Sequence, residues 1–294
     1  MAHISVLQKE VKEILDLQSG DVLLDATVNG GGHSADAAPI LGMHGAIIGI
    51  DRDSDAINRS KAKLSEAICS VTLVQDDFRN LDRLLSSYGM RTPTKILFDL
   101  GLSSDQLESS GRGFSFKKDE LLIMTFEKEG DGQDITAVKV INEFGEKEIA
   151  DIIYKYGEDT NSRRIAKAIV EARRAERILT SAKLHGIIAQ AVKGRGKIDP
   201  ATKTFQALRI FVNDELSAIE EALPKAFGCL APHGRLAVIS FHSLEDRIVK
   251  KYFRALGKSG TALDLTKKPI VASSEEILEN PRSRSAKLRA VEKC

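Results

Sequence analysis

Four places in this 294-residue chain put residues able to do chemistry just after a short apolar run, where a strand would end. The first is Asp25-Ala26-Thr27-Val28-Asn29-Gly30-Gly31-Gly32-His33-Ser34. Three consecutive glycines between a strand and a helix permit positive φ and remove side chains, so a ligand can approach the backbone closely. Gly30-x-Gly32-x-x-Ala35 satisfies the loose dinucleotide fingerprint, which suits nicotinamide and S-adenosylmethionine sites alike. A tight turn without a ligand is the competing reading. The second place is Asp51, in Ile50-Asp51-Arg52-Asp53. A carboxylate there can accept both hydroxyls of a ribose, while Asp53 or Ser54 is better placed to cap the following helix. The third is Gln75-Asp76-Asp77-Phe78, where an acid beside an aromatic suits an adenine amino group and ring face. Phe78 fits a core position equally well. The fourth is Asp99-Leu100-Gly101-Leu102-Ser103-Ser104-Asp105-Gln106. Oxygen acceptors at such a place can hold an exocyclic amine so that its nitrogen lone pair points at an electrophilic methyl group. Transfer is then an in-line displacement in which positioning supplies most of the catalysis. A turn-capping role for Asp99 competes with this one.

The elements that must position these residues are legible as periodicity. Val22-Leu23-Leu24-Asp25-Ala26, Ala46 to Asp51, Val71 to Val74 and Lys95 to Asp99 read as buried strands. Helical patterns at 54–67 and 79–87 lie between them. Strand, helix, strand at this spacing predicts an α/β fold around a parallel sheet with right-handed crossovers. From about 104 to 200 no comparable strand occurs, and helical patterns at 146–156 and 161–177 mark a helical insertion. Sheet logic returns with a long amphipathic helix at 202–226 and a strand at Arg235 to Ser240. A helix from Leu244 to Leu256 and a last strand at Lys287 to Val291 follow. Segment 257–286, rich in Lys, Ser, Thr and Pro, reads as a partly mobile loop. The expected organisation is one cofactor-binding domain from 1–103 and 201–294, interrupted by the insertion at 104–200.

Composition bounds the class. The chain is 42% hydrophobic and 29% charged, an ordinary globular balance. Cys69, Cys229 and Cys294 stand far apart, which excludes a zinc ribbon or a disulfide framework and suits a reducing cytosol. The six histidines, His3, His33, His44, His185, His233 and His242, show no metal-ligand spacing, so no metal site is read. The N-terminal stretch is amphipathic, lacks the apolar core of a signal peptide, and no apolar run is long enough for a bilayer. A cytoplasmic protein without a membrane partner is expected.

The net charge of +1 hides an asymmetry. Residues 1–160 carry −11, residues 161–205 +8, residues 206–231 −2 and residues 232–294 +6. Arg163-Arg164, Arg173-Arg174 and Lys193 to Lys197 are basic clusters. They read either as solvated helix faces or as contacts to nucleic-acid phosphates, whose binding would weaken with salt.

Taken together, DATVNGGGHS, IDRD, DDF, DLGLSSDQL, RGFSF, YGEDTNSRRIAKAIV, TFQALRIFVNDEL, LAPHGRLAVISFHSLEDRIVK and NPRSRSAKLR resemble the bacterial 16S rRNA cytosine-N4 methyltransferase family. The resemblance runs from His3 to about Glu292, and SFHSLEDR and FQALRI are its most specific blocks. It implies a Rossmann-like class I methyltransferase sheet with an inserted helical domain that recognises RNA. It implies S-adenosyl-L-methionine as cofactor and N4 of a cytosine in the decoding region of 16S rRNA as target, within the small ribosomal subunit. Cofactor contacts are implied for Gly31, Gly32, His33, Asp51, Phe78, Asp99 and Gln106, and Asp99 would position the amine. The oligomeric state stays open, a homodimer included.

Two departures stand out. Asn29 occupies a position that is usually glycine in the family, and Asn also tolerates a left-handed φ. The segment Leu121-Leu122-Ile123-Met124-Thr125-Phe126-Glu127 replaces a more polar one, with Ile123 and Thr125 where Asp and Arg are usual. Beyond these blocks, His242 after the fifth strand suits either a base-pocket or proton-accepting role, or a hydrogen-bonded structural one. Two other function classes are carried alongside. A nicotinamide-dependent oxidoreductase is favoured only by the glycine fingerprint, and a non-catalytic RNA-binding factor only by the altered 121–127 segment.

Overall fold

Aliphatic runs form β1 (Val22–Asp25), β2 (Ala46–Asp51), β3 (Ser70–Gln75), β4 (Lys95–Asp99) and β5 (Arg235–Ser240), joined by β6 (Ala262–Asp264) and β7 (Lys287–Lys293). The computed structural model describes residues 5–103, 106–107, 110–127, 135–192 and 199–294. His3, Ser104, Asp105 and the cluster Lys193 to Lys197 lie outside the described residues. The strands make one sheet in the order β3-β2-β1-β4-β5-β7-β6. β1 to β5 run parallel to their neighbours, and β7 runs antiparallel to both β5 and β6. This is a Rossmann-like α/β sheet, the fold class expected from the sequence.

Alternation along the strands divides the apolar side chains between two faces. Leu23, Ile47, Leu97, Ala237 and Leu288 face one core with helices Gln8–Leu15 and Gly32–Leu41. Leu24, Ile48, Ile96, Phe98 and Val238 face the other, with helices Leu81–Ser87, Glu215–Cys229 and Ser243–Lys258. A sheet buried on both faces needs near-continuous apolar strands, and β1 and β4 are buried throughout.

The chain divides into a sheet unit, residues 1–101 and 216–294, and a second unit, Leu102–Glu215. The second unit is therefore longer than the 104–200 read from sequence. Helix Ala201–Asn213 belongs to it because Ala201, Phe205, Leu208 and Val212 are buried with Ile149, Ile153, Ile165 and Leu184. Gly157 admits that close packing, since a Cβ there would lie 2.6 Å from the Lys203 carbonyl oxygen.

Two further expectations change. The helical pattern at 202–226 is two helices, Ala201–Asn213 and Glu215–Cys229. Asp214 breaks it in the left-handed conformation, φ 50°, its N–H directed at the carbonyls of Ile210 and Phe211. Asp reaches that conformation more readily than most residues. Segment 257–286 is not a continuous loop: it contains β6, helix Ser274–Glu279 and a short 3₁₀ turn at Pro281–Ser285. Among the described residues, no helix is long and apolar enough to cross a membrane.

Candidate active site

β1 and β4 are sheet neighbours whose following segments diverge. The helix after β1 buries Ala37, Ala38 and Leu41 on one face of the sheet. The chain that returns after β4 packs Ile219, Ala222 and Leu223 on the other. A crevice opens at the carboxyl ends of two strands wherever successive connections part in this way, and open α/β sheets bind ligands there.

The glycine loop sits at that point. Gly31 has φ 73°, and its N–H donates to the Val28 carbonyl at 2.7 Å. A Cβ on Gly31 would also lie 3.2 Å from the Ser60 backbone, so conformation and space both require glycine. Asn29 takes φ 51°, the conformation for which glycine is usual. Its N–H donates to Asp51 Oδ2 at 2.8 Å, and the N–H of Asp53 donates to Oδ1 at 2.9 Å. Asp53 itself is the helix cap, accepting from the N–H of Asp55. Each Asp51 oxygen keeps a second lone pair, enough to accept two ribose hydroxyls. Burial pushes the Asp51 carboxyl up to about 6, against the lowering effect of these two donors.

Asp99 ends β4, its N–H donating to Thr27 Oγ1 at 2.6 Å. The N–H of the next residue, Leu100, donates to the Ile239 carbonyl of β5. Both neighbouring strands therefore fix where this carboxylate points. Asp25 Oδ2 accepts from Ser34 Oγ at 2.7 Å, while Asp25 Oδ1 and Asp99 Oδ1 are buried without a hydrogen-bond partner among the described residues. Burial, then the charges of Asp25 and Glu245, push the Asp99 carboxyl up to about 8, and burial alone drives Asp25 up to about 6. His33 Nε2 lies 3.7 Å from Asp99 Oδ2, too far for a hydrogen bond. Buried carboxylates crowded together favour an incoming cation or hydrogen-bond donor.

Phe78 opens a 3₁₀ turn, half-buried, its ring packed edge-to-face on Phe98 with centroids 5.5 Å apart. Its acidic neighbours are engaged locally. Asp77 accepts from the N–H of Arg79 and lies 3.5 Å from the Arg52 guanidinium, and Asp76 accepts from Asn80 Nδ2. Gln106 lies in the second unit, buried, in a reciprocal pair with Ser103. Its Oε1 accepts from the Ser103 N–H at 3.0 Å, and its own N–H donates to Ser103 Oγ.

The structure commits His242 to a helix end. It is the N-cap of helix Ser243–Lys258, with Nδ1 accepting from the Glu245 N–H at 3.4 Å and Nε2 3.1 Å from Glu245 Oε1. Glu245 Oε2 accepts from the N–H groups of Phe241 and His242. Nδ1 thus serves the backbone and Nε2 faces the Glu245 carboxylate, an arrangement that favours the structural reading of His242.

Sequence reasoning did not single out Asp25, Thr27 or Glu245 as members of the site. Asp25 obeys the strand-end rule that pointed to Asp51 and Asp99. Glu245 stands three residues after its cap, the spacing of a capping box whose usual Ser or Thr is here a histidine. Altered segment 121–127 is built into the second unit. Leu122 and Met124 are buried there, and Asn213 clamps the strut by accepting from the Phe126 N–H and donating to the Met124 carbonyl.

Similarity to known proteins gives the family. A protein of Deinococcus radiodurans named ribosomal RNA small subunit methyltransferase H is 45% identical over 294 residues, covering 100% of this chain and 90% of the relative. Proteins of the same name from Sulfurihydrogenibium sp. and Koribacter versatilis are 46% and 44% identical, covering 98% of this chain and 97% and 93% of theirs. The model of the MraW methylase family matches residues 1–294, and this chain belongs to that family.

Proposed function

We propose that this protein methylates the N4 amine of a cytosine in the decoding region of 16S rRNA, with S-adenosylmethionine as methyl donor, on the small ribosomal subunit in the cytoplasm. The observation that carries the reading is Asp99: a carboxylate fixed between two strands beside the glycine loop, buried, with Oδ1 open. When bound, the cofactor supplies a methyl group activated by its sulfonium charge.

The residues fit an adenosyl sulfonium. Gly31, Gly32 and His33 would hold it at the helix start, Asp51 its ribose hydroxyls, and Phe78 the adenine face. Gln106, which the resemblance implies as a further contact, belongs to the second unit. The crowded carboxylates Asp25 and Asp99 suit its positive charge, and that charge in turn favours the ionised form of Asp99. Asp99 then accepts a hydrogen bond from the exocyclic amine and turns the nitrogen lone pair away from the base. Most of the rate enhancement comes from holding two partners in line, so no strong base is needed. The departing proton can leave through Asp99 or solvent. Membership of a methylase family leaves neither the nicotinamide reading nor the non-catalytic one a supporting observation.

RNA recognition is assigned to the insertion. Arg163, Arg164 and Arg174 are exposed on helix Ser162–Ala175 and pair with no carboxylate among the described residues, whereas Arg173 donates to the Ile141 carbonyl. The test is mass spectrometry of rRNA nucleosides from cells with and without the protein. N4-methylcytidine is expected to disappear with it, and an unchanged level overturns the reading.

A further inference from the structure

The sheet unit carries a basic face that the reaction does not use. On helix Ser243–Lys258, Arg247, Lys250, Lys251, Arg254 and Lys258 edge a shallow concavity. Positions 247, 251, 254 and 258 recur every three or four residues, which puts them on one line of an α-helix. At 1.5 Å per residue, that line is roughly 16 Å long with about one cation per turn. All four are exposed, and Lys250 is half-buried beside them. The opposite face is fixed by burial of Leu244, Val249 and Phe253, so the helix cannot roll the cations inward.

Neutralisation at this face is incomplete. Among the described residues, no carboxylate pairs with Lys250, Lys251, Arg254 or Lys258. The nearby acids of the helix are already engaged. Glu245 is buried in the capping box, and Asp246 is bound by Arg289 at 2.6 Å and Lys287 at 3.6 Å, which holds its carboxyl below the usual range. A row of like charges is unfavourable for a fold, and a polyanion that covers it relieves the repulsion. The helix begins at Ser243, capped by His242, and the charge of Glu245 in its first turn acts on Asp99. The cationic line therefore starts within one or two turns of the catalytic edge and leads away from it down the side of the sheet.

We propose that this helix face docks the phosphate backbone of the rRNA flanking the target cytosine, so that the sheet unit itself, and not only the insertion, holds the substrate strand. The inference rests on the rRNA-methyltransferase reading, and its partner is RNA because a line of exposed lysines and arginines complements the regularly spaced charges of a phosphate backbone. Lysines and arginines so arranged contact phosphates without regard to sequence.

The experiment uses the full chain with Lys250, Lys251, Arg254 and Lys258 all changed to Gln. It is compared with wild type and with a control of equal charge change, Lys61, Lys147, Lys267 and Lys268 to Gln, all exposed elsewhere. Binding to protein-free 16S rRNA and to small-subunit particles is measured across KCl concentrations, with methyl transfer to the particles alongside. The stripe variant is expected to raise KM for particles at least about tenfold and to flatten the salt slope by about 3. Its kcat should stay within about twofold and its S-adenosylmethionine affinity unchanged, because no contact to the reacting atoms is lost. Equal KM and salt slope in stripe and control variants overturn the proposal. So does a defect confined to particles with protein-free rRNA binding intact, which assigns the face to a ribosomal protein. Failure of the wild-type protein to methylate cytosine N4 would instead remove the function reading, while the rRNA-binding arm still decides the docking face.

Discussion

The insertion and the carboxyl edge of the sheet both bury polar side chains, but they treat them in opposite ways. In the insertion, the buried amide of Asn213 reaches both Met124 and Phe126, Asn142 donates to and accepts from Ile178, and Arg112 donates to the carbonyls of Thr125 and Phe126. Each bond closes a backbone group that an irregular segment would otherwise leave unsatisfied. At the sheet edge, Asp25 and Asp99 are buried with one oxygen each lacking a partner, and their charges oppose each other. Asn142, Asn213 and Arg112 are engaged in holding irregular backbone, whereas the open oxygens of Asp25 and Asp99 are left for a ligand at a cost in stability.

That contrast can be broken by substitution, and the largest effect is expected at Asp99. Asp99→Ala should reduce methyl transfer by roughly 10²–10³-fold, the usual cost of removing one preorganised electrostatic contact to a transition state. The fold should remain intact, as read by circular dichroism. A variant that retains activity within tenfold would show that the open oxygen is not the amine acceptor. In the insertion, Asn213→Ala should instead cost stability, about 2–4 kcal/mol, since it strands the Phe126 N–H and the Met124 carbonyl. Denaturant unfolding measures it. A loss below 1 kcal/mol would mean that the strut 121–127 does not depend on its clamp. Between the two lies Asp51, which is both saturated by backbone donors and offered to a ligand. Asp51→Asn preserves its shape but replaces one acceptor with a donor, so S-adenosylmethionine binding should weaken by about 10–100-fold with little change in kcat. Titration calorimetry checks it, and an unchanged affinity would make Asp51 a turn-forming residue only.

The same contrast explains what was legible. Strand ends at Asp51 and Asp99 stood out because apolar runs stop at a carboxylate, a pattern that local chemistry dictates. The break at Asp214 did not, because the apolar period continues across it and only the Asn213-Asp214 pair hints at a left-handed residue. β6 has three residues and exists through its pairing with β7, thirty residues downstream and antiparallel, which no local pattern encodes. His242 left two readings open for the converse reason. Imidazole suggests proton transfer, but Nδ1 caps the helix by accepting from the Glu245 N–H, and Nε2 lies 3.1 Å from the Glu245 carboxylate. Residue type identified groups able to do chemistry, and only geometry showed which of them were already engaged.

The open carboxylates should leave a signature in stability against pH. An ordinary Asp titrates near 3.8, whereas folding holds the Asp99 proton up to about 8. Below about 4 the proton is bound in both states, so this group makes no difference. Above that the unfolded chain releases it and the folded chain does not, so folding takes up a proton and stability falls as pH rises. Asp25 and Asp51, each raised to about 6, act with the same sign but are spent by pH 6. From pH 6 to 8 the remaining slope belongs to Asp99. Asp99→Asn cannot ionise, so its stability relative to wild type should grow across that window by an amount on the order of 2 kcal/mol, one pKa unit being worth about 1.4 kcal/mol. Thermal unfolding at pH 6, 7 and 8 reads the difference, and subtraction of the two proteins cancels groups they share. Saturating S-adenosylmethionine should shrink the difference by giving wild-type Asp99 a cation to face. A gap that stays constant from pH 6 to 8 would mean that Asp99 is ionised throughout the window, and that the sheet edge is not the unsaturated region set against the insertion.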